Sequence, residues 1–147
     1  MSSSKQYITS SSEETQEIAQ EFGRKLKSGD FIALFGELGS GKTTFAQGLM
    51  KGLGVKKRII SPTFIIIRKY KLPERTINFY HVDLYRIEGN VDELSGIGIT
   101  ELIKEGKDII AVEWAEKMKD LLPQKRWNAS FKHLSENKRR IEIACPT

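Results

Sequence analysis

Eight consecutive residues, Gly36-Glu-Leu-Gly-Ser-Gly-Lys-Thr43, carry the densest chemistry in this chain. They follow the spacing G-x-x-x-x-G-K-S/T, and each fixed position answers a demand of phosphate binding. Gly36, Gly39 and Gly41 let the backbone bend and approach an anion closely. The N–H groups of the loop, through Glu37, Leu38 and Ser40, then converge on phosphate oxygens. A helix beginning near Lys42 adds the positive end of its dipole. Lys42 is expected to neutralise the β- and γ-phosphates, Thr43 to offer a hydroxyl to Mg²⁺, and the backbone around Thr44 to meet the α-phosphate. The loop therefore predicts a nucleoside triphosphate bound with Mg²⁺. The bland alternative is a chance glycine turn ahead of a helix.

Such a site also needs a carboxylate at the end of a neighbouring strand, to hold the metal directly or through its waters. Two acids qualify. Glu113 follows the clean apolar run Ile109-Ile-Ala-Val112 and is expected to join Thr43 on the metal. Asp83 follows Phe79-Tyr-His-Val82 and is expected to orient an attacking or metal-bound water. Without the glycine loop, either acid would read as a capping or surface residue. Thr63, in the turn Ser61-Pro62-Thr63, can face a γ-phosphate with its hydroxyl or backbone N–H, or can simply start a strand. Trp114 can cover the site, face a partner or pack in a core. His81 and His133 show no nucleophile or ligand set to pair with, and His81 reads as packing in or beside its strand.

The elements that must position these residues are legible in outline. Ser11 and Glu14 have capping-box spacing, and Ile18, Phe22 and Leu26 recur every fourth residue, predicting a helix that ends near Ser28-Gly29. Phe31-Ile-Ala-Leu-Phe35 reads as a strand buried on both faces. Thr43 to Leu53 reads as a helix stopping at Gly54, so strand, loop and helix come in the order that phosphate binding requires. Pro62 marks a turn, followed by an extended run from Phe64 to Tyr70. Thr76 to Val82 and Asp108 to Val112 are β-rich, and Val91 to Glu105 mixes helical and turn signals. Ala115 to Leu122 is predicted as a short helix closed by Pro123. Arg126 to Leu134 and Arg139 to Ala144 are predicted as antiparallel strands joined by Ser135-Glu-Asn-Lys138.

Composition narrows the class without choosing a function. A chain of 147 residues, 39% hydrophobic and 29% charged, fits one folded domain spanning 1–147 with a packed core. Its longest apolar runs fall far short of the roughly 20 residues that span a bilayer. Met1 to Tyr7 lacks the apolar stretch of a secretory signal, so a cytoplasmic location without membrane association is expected. The single Cys145 reads as a small near-terminal apolar residue. A net charge of +5 permits a polyanionic partner without requiring one. Lys56-Lys57-Arg58 and Lys138-Arg139-Arg140 read as solvated turns in the absence of an aromatic-interleaved RNA-binding signature, and no DNA partner is expected.

Taken together, these residues resemble the TsaE (YjeE) family, small bacterial P-loop ATPases of the pathway that makes threonylcarbamoyladenosine in tRNA. The resemblance covers nearly the whole chain. It rests on Gly36 to Phe45, Ser61-Pro-Thr-Phe64, His81-Val-Asp-Leu-Tyr-Arg86, Asp92-Glu-Leu94 with Gly96-Ile97, and Val112-Glu-Trp114, in the family's order. The first segment is common to many NTPases; the later four together are far more specific. Ala115 replaces the proline many members carry after Glu-Trp, and Ser95-Gly96 replaces bulkier residues.

The resemblance implies a compact α/β nucleotide-binding domain with a mainly parallel central sheet, added antiparallel strands and flanking helices. It implies ATP and Mg²⁺ as cofactors, with Lys42, Thr43, Glu113, Asp83 and Thr63 in the roles above, and it sets the stretch near Thr9 to Ser12, including Ser10 and Ser12, beside the nucleotide. It also implies TsaD and TsaB proteins as partners, which carry out the transfer while this chain hydrolyses ATP, so that tRNA is reached indirectly. Two other readings of the residues stay open: a small-molecule or nucleotide kinase, and an RNA-binding module that holds nucleotide as a structural ligand. A kinase would be expected to bring an arginine-bearing lid, and no Arg-rich insertion interrupts the chain.

Overall fold

The computed structural model describes residues 3–55, 66–73 and 75–146. In chain order it contains β1 (Ser4–Thr9), α1 (Ser12–Gly23), β2 (Phe31–Gly36), α2 (Lys42–Gly52), β3 (Ile67–Lys71) and β4 (Asn78–Asp83). There follow α3 (Val91–Gly96), α4 (Ile99–Glu105), β5 (Ile109–Glu113), a 3₁₀ segment (Ala115–Leu121), β6 (Trp127–His133) and β7 (Arg139–Ala144). The strands form one seven-stranded sheet in the order β1-β7-β6-β2-β5-β4-β3. The pairs β6/β2, β2/β5 and β5/β4 are parallel, and antiparallel pairs complete both edges.

β2 is the central parallel strand because nothing in it needs water. Phe31, Ile32, Ala33 and Leu34 are all buried, and alternation sends Ile32 and Leu34 to one face, Phe31 and Ala33 to the other. On the first face α1 and α2 contribute Ala19, Phe22, Phe45 and Leu49 to the core. The opposite face is covered by Leu94 of α3, Ile99 of α4 and Met118. α1 and α2 approach closely at Gly48, where an added Cβ would lie 2.5 Å from the Ala19 Cβ and 2.6 Å from the Gln16 carbonyl oxygen.

α1 stops at Gly23 rather than near Ser28, because tight turns take over: Lys25 N–H donates to the Phe22 carbonyl and Leu26 N–H to that of Gly23. Leu26 still enters the core, which is why its helical spacing persists past the helix end. The sequence pattern gave no sign of β1, since most of its residues are exposed; the ladder with β7 defines it. Val91 to Glu105 resolves into two short helices separated at Gly98, and the stretch after Trp114 winds as 3₁₀. Among the described residues, no helix is long and apolar enough to cross a membrane.

Candidate nucleotide site

The glycine loop leaves the C-terminal end of β2, where parallel α/β sheets leave a crevice for ligands. Gly36 has φ +152°, and a Cβ there would sit 2.7 Å from Ser40 Oγ and 2.9 Å from the Phe131 carbonyl oxygen. Gly41 takes φ +106° at the N-cap of α2, a left-handed conformation that L side chains rarely adopt. No side chain caps this helix. Its first-turn N–H groups and the positive end of its dipole thus face the crevice. Inside the loop Ser40 N–H donates to the Glu37 carbonyl (3.1 Å), and Ser40 Oγ is buried without a hydrogen-bond partner among the described residues.

Lys42 and Thr43 open the helix. Lys42 is buried, its Nζ donating to the Gly36 carbonyl and lying 3.4 Å from the Trp114 ring centroid, within cation–π range. Burial pushes the Lys42 ammonium below the usual lysine range, and the negative charges of Glu116, Glu113 and Asp83 oppose that shift. Trp114 holds φ 60°, unusual for a bulky residue, as the chain turns out of β5. Tyr85 packs beside it at 5.4 Å between ring centroids. Lys117 ties down the turn following Asp83 by donating to the Tyr85 and Ile87 carbonyls at 2.6 and 2.8 Å.

The acids arrive through strand register. β4 and β5 pair Asp83 with Glu113 and His81 with Ala111, so His81, Asp83 and Glu113 share the face that α2 covers. Thr43 Oγ1 donates to Glu113 Oε1 at 2.8 Å, and Glu113 Oε2 lies 2.6 Å from His81 Nε2. Both members of that second pair are buried. Burial, and next the charge of Glu113, raise the Asp83 carboxyl above its usual range, while Tyr85 N–H donating to Asp83 Oδ1 pulls the other way.

These groups line one cleft of about 340 Å³. The loop and α2 contribute Leu38, Gly39, Gly41, Lys42, Thr43 and Thr44; the strand ends contribute Asp83 and Glu113. Ser10 and Ser12 form a further wall, held by a cap in which Glu14 N–H donates to Ser11 Oγ and the Glu14 carboxylate accepts from Ser10 N–H. Gly36, Glu37 and Ser40 shape the loop without lining the cleft, and Thr63 lies outside the described residues, as do Ser61, Pro62 and Lys56-Lys57-Arg58.

Two features escaped sequence reasoning. His81 is not a packing residue alone, since Glu113 engages it. Its spacing two residues before Asp83 was the available signal, because alternate strand residues share a face. Of the readings open for Trp114, the structure joins two: its ring covers Lys42 and packs against the core under α3 and α4. Arg139, with Glu136 and Asn137, lines the cleft from the β6–β7 turn, although its basic run reads as a solvated cluster.

The model of the family described as "Threonylcarbamoyl adenosine biosynthesis protein TsaE" matches residues 9–141. The chain belongs to the TsaE family. Among curated TsaE relatives, each named a tRNA threonylcarbamoyladenosine biosynthesis protein, the one from Bacillus subtilis is 39% identical over 88% of this chain and 78% of its own length. The TsaE of Rickettsia bellii is 37% identical over 94% of this chain and 93% of its own. A crystal structure of YdiB from Bacillus subtilis matches with a TM-score of 0.79 and 32% identity, covering 100% of this chain and 88% of that one. The TsaE match spans the glycine loop, both strand-end acids and the β6–β7 turn alike.

Proposed function

We propose that this TsaE-family protein binds ATP with Mg²⁺ and hydrolyses it slowly, in support of threonylcarbamoyl modification of tRNA carried out by TsaD and TsaB partners in the cytoplasm. The observation that carries the reading is the Thr43–Glu113 contact, 2.8 Å between two hard oxygen donors, beside an uncapped helix N-terminus. Mg²⁺ suits this pair because it takes one or two protein oxygens together with phosphates and water. Among the described residues no cluster of three or more His, Cys, Asp or Glu is arranged to hold a metal on protein ligands alone, which fits a cation that arrives with its nucleotide.

In this reading Lys42 exchanges the Gly36 carbonyl and the Trp114 face for phosphate oxygens, which restores a full counter-charge to a buried ammonium. Thr43 Oγ1 and Glu113 Oε1 are the oxygens that would hold the metal. Bound there, Mg²⁺ would withdraw charge from the phosphate oxygens. Asp83, within the same cleft, orients the attacking water, and Thr63 senses the γ-phosphate. Leu38 (72% exposed) and Tyr85 (49% exposed) are cleft-lining residues that leave apolar surface at its rim, in keeping with a partner that covers the nucleotide.

ATP hydrolysis by the purified chain, alone and with a TsaB–TsaD complex, tests the proposal. Partner-stimulated turnover is expected, falling roughly 100-fold in Lys42→Ala and in Glu113→Ala. Turnover indifferent to the partners would overturn the coupling, and activity surviving both substitutions would overturn the site.

A further inference from the structure

The inward-facing positions of β4 run Phe79, His81, Asp83, from the apolar core to the edge of the cleft. A histidine at the middle position is a costly choice for packing alone, since a buried polar ring needs a partner to offset its lost hydration. Its partner is Glu113, at 2.6 Å, and the two residues are 4% and 2% exposed. Ala111, the register partner of His81 on β5, is small enough to leave room for the ring beside the carboxylate two residues on. Glu113 thereby has each oxygen assigned: Oε1 to the Thr43 hydroxyl, Oε2 to the His81 ring. An ionised carboxylate only accepts hydrogen bonds, so His81 donates from Nε2.

From this we infer that His81 is a positioning residue: it pins one oxygen of Glu113 so that the other stays aimed at Thr43 and at the metal of a bound nucleotide. The inference rests on the nucleotide reading above and adds to it a residue with no predicted role in the site. The physical reason is orientational. A carboxylate held at one oxygen loses the freedom to rotate away from its ligand, and hydrogen bonds that hold metal ligands in this way are commonly worth 10–100-fold in metal affinity.

The test uses the full chain and a fluorescent ATP analogue, titrated in EDTA and then with Mn²⁺ followed by electron paramagnetic resonance. His81→Phe keeps the ring's bulk and removes the donor, whereas His81→Gln restores an N–H near Nε2 without a ring. Nucleotide affinity in EDTA is expected to stay near the wild-type value in both. Mn²⁺ affinity of the nucleotide complex is expected to fall about tenfold in His81→Phe and to recover largely in His81→Gln. Unchanged Mn²⁺ affinity in His81→Phe overturns the inference, as does an equal loss in both variants, which would mark the ring as packing. Should His81→Phe not fold, His81→Asn, whose amide is too short to reach Glu113, takes its place with the same expected loss. A wild-type chain that binds no nucleotide at all overturns instead the nucleotide reading on which the inference stands.

Discussion

The glycine loop and the acid–histidine cluster form the two halves of one cleft, yet they are assembled at different ranges along the chain. Within the loop, Lys42 bonds to Gly36, Ser40 to Glu37 and Phe45 to Gly41, all near neighbours. The cluster joins Thr43 to Glu113 across 70 positions and Glu113 to His81 across 32. The loop thus depends on a few backbone conformations, the cluster on two strands pairing in one register. A slip of one residue between β4 and β5 would send His81 and Asp83 to the opposite face and dismantle the cluster while leaving the loop intact.

Substitutions can break that comparison from either side. The largest stability loss is expected for Gly36→Ala, where backbone strain combines with a collision against the Phe131 carbonyl; about 3 kcal/mol should be lost in urea unfolding, against roughly 1–2 kcal/mol for Gly41→Ala, which has positive φ but would meet only the Phe131 ring at ordinary contact distance. Equal losses at the two positions would show that the loop is not held against β6. On the cluster side, Ala111→Val is expected to cost about 1–2 kcal/mol by overpacking and to lower metal-dependent nucleotide binding by displacing His81 from Glu113. Its metal-free binding, measured in EDTA, should be preserved, because the loop is built separately.

The smallest effect is expected from Asp83→Asn, and its pH dependence carries the information. Burial and Glu113 raise the carboxyl of Asp83 in the folded chain above its unfolded value, so the folded state holds that proton more tightly. Asp83 therefore favours folding below its unfolded pKa, and that contribution is lost as pH rises through the raised folded value. Asp83→Asn should accordingly melt slightly above wild type at neutral pH, with the gain vanishing in acid. A variant less stable than wild type at neutral pH would mean that the charged form of Asp83 is stabilised by its surroundings.

Much of the cleft's lining was legible beforehand for a physical reason. Gly39, Gly41, Lys42 and Thr43 act through short-range geometry, and Asp83 and Glu113 follow apolar runs that end where the parallel strands end. His81 was read as packing because a strand's alternation tells which residues share a face, not what stands opposite on a strand that pairs across an intervening helical region. The cleft wall at Glu136, Asn137 and Arg139 escaped notice for a similar reason. That turn reaches the glycine loop only because β6 adds beside β2, a neighbour distant in sequence. Edge strand β1 was missed because an edge strand needs backbone partners more than apolar side chains.

By itself the sequence determined the glycine loop, the central buried strand and helix around it, the two candidate acids and the family. Those features lie in local backbone preference, in residue periodicity and in motifs read in order along the chain. Tertiary structure alone decided that His81 grips Glu113, that Trp114 covers Lys42 and that the β6–β7 turn lines the cleft. Each is a meeting of residues from separate elements, set by sheet order and register, and no spacing along one strand or helix specifies such a meeting.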